Sequence, residues 1–126
     1  MVAHEPGNTD LDPMWVEFLQ TKVDTFAKWD LVRFFHDNPH MIDTAENIAR
    51  YMARDLEQVQ HELKGLVSAD VLSMEVRGQV EVYRLTENEK IRTLIQDFIA
   101  ACHDYNFRRK AIDCIIHGMN YHREEI

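Results

Sequence analysis

The chain has 126 residues, 45% of them hydrophobic and 29% charged, with a formal net charge of −8. This is the size and apolar content of one ordinary soluble domain, which excludes a disordered acidic tail and a disulfide scaffold. No apolar run approaches the roughly 18 residues that span a bilayer, and an acidic chain is a poor non-specific nucleic-acid binder, because affinity for phosphate comes from Lys and Arg releasing counterions.

With only three Pro and four Gly, long regular elements are expected. Met1–Asp10 is polar and lacks the basic start and apolar centre of a secretory leader, so a cytoplasmic location is expected. Asp12-Pro13 reads as a helix start, with Asp as N-cap and Pro at the first helical position. Met14, Trp15, Phe18, Leu19, Val23 and Phe26 follow at helical spacing. A second helix is expected from about Thr25 to Asp37, with Phe26, Leu31, Val32, Phe34 and Phe35 inward and Asn38-Pro39 ending it. The pattern does not distinguish these two helices from one rod. Asn38–Asp43 reads as a connecting loop. Asp43 and Thr44 are alternative caps for a short helix ending near Arg54, with Ile48, Ala49 and Met52 buried. Asp55 caps the next helix, whose stripe is Leu56, Val59, Leu63, Leu66 and Val67. Almost no linker separates the two, so they turn sharply, as in a helix-turn-helix.

After Ala69-Asp70 the period becomes alternating. Leu72, Met74 and Val76 face one way, Gly78-Gln79 is a turn, and Val80, Val82 and Leu85 mark the return, which makes a hairpin. An isolated hairpin is marginal in water, so it must rest on the helices. Thr86 with Glu89 reads as the capping box of the last segment. There Ile91, Phe98, Tyr105, Ile112 and Met119 recur every seven residues, with Ile116 in a neighbouring row. Such a seam either pairs two copies or, broken at His103–Asn106, folds into two shorter helices packed on the N-terminal pair. The expected dimer interface is Ile91, Phe98, Tyr105, Ile112, Ile116 and Met119. Cys102 and Cys114 would lie about 18 Å apart on one helix, too far for an intrachain bridge. Two free thiols fit a reducing compartment.

The order helix, helix, helix, hairpin is accompanied by two local stretches, His61-Glu62-Leu63-Lys64-Gly65-Leu66-Val67-Ser68-Ala69-Asp70-Val71-Leu72 and Val82-Tyr83-Arg84-Leu85-Thr86. Together they resemble winged-helix bacterial transcriptional regulators of the ArsR and MarR kind, over roughly residues 26–100. The resemblance implies a mostly α fold with a small β-hairpin: a winged helix-turn-helix with long N- and C-terminal helices. As one domain over 1–126, it would comprise an N-terminal extension and helix (1–24), the winged helix-turn-helix (25–86) and C-terminal dimerisation helices (87–126). It further implies a DNA-binding transcriptional regulator acting as a homodimer, without catalysis or cofactor. Arg54, Gln58, Gln60, His61, Lys64, Arg77 and Gln79 are the candidate DNA-binding residues, with Arg50 and Arg84 as further backbone anchors. Asp70 stands where these families carry Gly, and Asp tolerates the left-handed conformation needed there better than most residues.

The outward face of the presumed recognition helix is Asp55, Glu57, Gln58, Gln60, His61, Glu62 and Lys64, three acids against one base. That composition leaves open a protein-interaction module with no DNA binding. A ligand- or metal-sensing dimer is the third reading, because Asp113, Cys114 and His117 have chelating spacings on one helix. Those spacings do not match the resembled family's paired pattern, so no metal is expected. Arg108-Arg109-Lys110 reads as a helix face bridging to acids such as Asp104 and Asp113. His103 and Asp104 are adjacent and do not face each other on a helix. No phosphate loop, nucleophile elbow or paired-carboxylate motif is present, so an enzyme is not expected.

Overall fold

The structure is a computed structural model that describes residues 11–124, with side chains described through residue 118. The leader reading of Met1–Asp10 and the interface reading of Met119 therefore lie outside the described residues and side chains. Asp12 accepts the Met14 N–H at 2.8 Å and opens α1 (Pro13–Thr21). The two N-terminal helices are not one rod: the chain turns at residues 22–25, and Thr25 caps α2 (Phe26–Asp37) by accepting the Lys28 N–H at 3.0 Å. Trp29 is buried where Phe26, expected inward, is partly exposed.

The end of the expected loop is instead a short strand, β1 (Ile42–Thr44), paired antiparallel with residues 82–84. Three residues carry no readable alternation, and the partner lies far downstream, so only the tertiary fold makes this strand. Thr44, not Asp43, caps α3 (Ala45–Met52). Ala53 closes α3 at φ 55°, and Asp55 at once caps α4 (Leu56–Ser68). The left-handed residue turns the chain sharply and lets its N–H return to carbonyls of the last turn. α4 ends likewise at Asp70, φ 65°, the position where the resemblance called for Gly.

The hairpin is β2 (Leu72–Arg77) and β3 (Val80–Leu85), joined through Gly78 at φ 65°. The sheet order is β1-β3-β2, with Leu72 opposite Leu85 and Arg77 opposite Val80. Thr86 is not the cap of the following helix. It is buried and its hydroxyl accepts the Asn88 N–H, while Asn88 caps α5 (Glu89–Ala101). The seven-residue series does not form one rod either. The chain breaks after Ala101, and the Asp104 carboxylate accepts N–H groups of Asn106 and Phe107 to start α6 (Tyr105–Glu124). Arg108 donates back to the Cys102 carbonyl at 2.8 Å and stitches the break.

Among the described residues, six helices and a three-stranded antiparallel sheet thus share one core. At its aromatic end Phe98 lies with ring centroids 5.0 Å from Phe18, 5.2 Å from Trp29, 5.8 Å from Trp15 and 6.1 Å from Phe107, joining α1, α2, α5 and α6. Phe98 is fully buried within the chain, which corrects its expected place at a dimer interface: the ring that marks the heptad series is consumed by the chain's own helices.

Candidate functional site

Successive residues of a helix are rotated by about 100°. On α4 this sets Val59, Glu62, Leu63 and Leu66 on one buried side and Glu57, His61, Lys64 and Ser68 on the opposite, exposed side, with Gln58 and Gln60 flanking. Of the four singled out from the sequence, His61 and Lys64 therefore share the exposed side, with Gln58 on one edge of it and the partly buried Gln60 on the other.

Glu62 does not belong to it. It is 7% exposed, and its carboxylate lies 3.9 Å from the Lys28 ammonium of α2, which also donates to Asp24 at 2.7 Å. Its position, three residues after Val59 and four before Leu66, carried the signal for this placement. Gly65 lies where the Lys28 side chain crosses α4: a Cβ there would be 2.8 Å from Cε and 2.9 Å from Nζ. Lys22 donates to the Ala69 carbonyl at 2.7 Å and serves the C-terminal end of α4. With Glu62 turned inward, the exposed side beyond the Asp55 cap balances Glu57 against Lys64.

Arg54 stands at the start of α4 in an ion pair with Asp30 of α2. Arg77 and Gln79 are exposed at the hairpin tip. Arg77 lies 3.3 Å from Glu75; Arg84 lies 3.6 Å from Glu75 and 3.1 Å from Glu87. Between α4, the start of α3 and β3 is an open cleft of about 280 Å³ to which Glu46, Gln60, Lys64, Gln79, Glu81 and Tyr83 contribute. Sequence reasoning missed Glu46, Glu81 and Tyr83, since no local pattern brings α3 to β3. Burial, then the charge and hydrogen bond of Glu81, then the charge of Glu46 push the Tyr83 hydroxyl above its ordinary value, so it is a donor at neutral pH. Val76 and Val80 expose apolar side chains near the tip, 65% and 50% accessible.

On α6, Tyr105 and Ile116 are exposed, whereas Ile112 on α6 and Ile91 on α5, also expected at the interface, are partly buried against the chain's own core. The cysteines are chemically quiet. Burial pushes the Cys102 thiol up to about 11, against the pull of Arg108 and Arg33, and burial raises Cys114 as well. Cys114 faces the core while Asp113 is exposed, and among the described residues no three His, Cys, Asp or Glu side chains are grouped to hold a metal ion. No helix among them is long and apolar enough to cross a membrane. Compared with known protein families and with curated protein sequences, the chain matches none.

Proposed function

We propose that the chain is a winged helix-turn-helix DNA-binding protein, a transcriptional regulator acting as a homodimer. In this reading α3 and α4 are the helix-turn-helix, α4 enters the major groove, and the β2–β3 wing touches the adjacent backbone through Arg77 and Gln79. The observation that carries it is the exposed side of α4: His61 and Lys64 stand on it with Gln58 and Gln60 at its two edges, and Glu62, one of the two acids that opposed a phosphate-facing role, faces Lys28 instead. Gln amides and a His ring are base-edge readers, and Lys64 and Arg77 are phosphate donors. Self-pairing is supported by the exposed apolar side chains of Tyr105 and Ile116 on α6.

The test is titration of the purified chain with mixed-sequence duplex DNA over a range of salt. Saturable binding that weakens with salt is expected, and Lys64→Gln reduces the slope of log affinity on log salt by about 0.9, one phosphate contact. Replacing Gln58 and His61 by Ala blunts sequence preference more than affinity. Absence of duplex binding at about 50 mM salt, where phosphate contacts are strongest, overturns the reading.

One observation favours a second reading, a protein-interaction module without DNA binding. The cleft between α4 and the hairpin is edged by the carboxylates of Glu46 and Glu81 and lies beside the exposed Val80, a surface suited to a basic segment with an apolar side chain. Failure of the DNA titration, together with binding of basic peptides, selects it.

A further inference from the structure

We propose that Glu75 weakens the wing's hold on DNA by competing with phosphate for two arginines, Arg77 and Arg84. The inference rests on the DNA-binding reading above and adds a residue to it. Alternation along β2 puts Ser73, Glu75 and Arg77 on one face. The register sets Ser73 opposite Arg84 and Glu75 opposite Val82, so Arg84 is the diagonal cross-strand neighbour of Glu75. One carboxylate therefore reaches both guanidinium groups: Oε2 lies 3.3 Å from Nη2 of Arg77, and Oε1 lies 3.6 Å from Nη1 of Arg84. The second nitrogen of Arg84 lies 3.1 Å from Glu87.

A carboxylate and a phosphate offer a guanidinium the same pair of acceptor oxygens, so Glu75 is an internal competitor for the DNA backbone. These pairs are half-exposed, and pairs of that kind contribute little to folding. The fold gains little from them, whereas phosphate has to displace this carboxylate to reach Arg77, and Glu87 as well to reach Arg84. The same pattern recurs at the start of α4, where Asp30 occupies Arg54. Together these carboxylates keep an acidic chain from gripping duplexes indiscriminately and leave discrimination to the side chains on α4.

The experiment compares the full-length chain with its Glu75→Gln variant by fluorescence anisotropy against one mixed-sequence duplex over a salt series. The variant is expected to bind about three- to tenfold tighter at low salt, with a slope of log affinity on log salt steeper by about one, the signature of one further phosphate contact. Its thermal midpoint should match that of the wild type. Glu75→Gln made in an Arg77→Gln, Arg84→Gln background should give no gain over that background, which separates released arginines from a general loss of negative charge. A gain of the same size in the background lacking both arginines overturns the proposal. So does equal or weaker binding by Glu75→Gln while the wild type binds, and this outcome leaves the DNA-binding reading standing. If neither protein binds duplex, both readings fall together.

Discussion

Ala53 turns α3 into α4 in the left-handed conformation, φ 55°, where a Cβ is unfavourable and Gly is not. Ala53→Gly is therefore expected to stabilise the chain by about 0.5–1 kcal/mol, read as a higher urea midpoint with an unchanged slope. Asp70, at φ 65°, is a different case, because its carboxylate accepts from the Asn88 side chain at 3.2 Å and ties the end of α4 to the cap of α5. Asp43 shows how local bonds overrule burial. Burial raises its carboxyl, but hydrogen bonds from the Asn47 side chain, the Thr44 N–H and the Tyr51 hydroxyl, with the charge of Arg50, bring it below its ordinary value of 3.8. A carboxyl lowered on folding contributes stability above its unfolded value and loses it as pH falls through the folded one. Asp43→Asn should thus be less stable than wild type at about pH 7, and the two midpoints should converge as the pH falls through the lowered folded-state value of Asp43 and its carboxyl becomes neutral. A gap that persists in acid would assign the loss to packing.

At the scale of elements, α4 is held from below by groups that sequence proximity does not supply. Lys22 reaches the Ala69 carbonyl, and Lys28 reaches Glu62 through the space left by Gly65. Breaking a buried pair by removing one partner strands the other charge, whereas replacing both by apolar groups is often neutral. Lys28→Met is expected to cost about 2 kcal/mol, and Lys28→Met with Glu62→Leu to recover most of it; chemical denaturation of both variants is the check. If the single variant costs nothing, the Lys28–Glu62 pair is not what keeps Glu62 off the outward face. The break between α5 and α6 is similarly specified, since Asp104 caps the second helix and Arg108 closes the first.

Across the whole molecule, the terminal helices do two jobs at once. Their inner sides build the aromatic end of the core around Phe98, and Phe98→Ala should cost about 3–5 kcal/mol, the usual loss for a fully buried ring, seen as a large drop in thermal midpoint. Their outer side, with Tyr105 and Ile116 exposed, is where the proposed homodimer would form. Tyr105→Glu with Ile116→Glu is expected to give a monomer by light scattering, with its secondary structure intact. A wild-type chain that is already monomeric at micromolar concentration refutes the self-pairing part of the proposal.

The hairpin and the caps at Asp12-Pro13 and Asp55 were legible in the residue pattern, since they act through their own backbone neighbours, whereas the cap read at Thr86 belongs to Asn88 and the helix breaks before Thr25 and after Ala101 were left open. The outward placement of His61 and Lys64, with Gln58 and Gln60 at opposite edges, was legible as well, since helical rotation alone sets it. What the chain order left undecided was which partner covers each apolar or charged side. The period of seven residues marks Phe98 and Ile116 alike, yet the break after Ala101 sends one into the core and leaves the other in solvent. Glu62 looked solvent-bound until α2 brought Lys28 to it, and β1 exists because β3 lies beside it. Local hydrogen bonding is determined by residues within a turn or two of each other. The burial of a face is determined by what the rest of the chain packs against it, and only the tertiary fold supplies that.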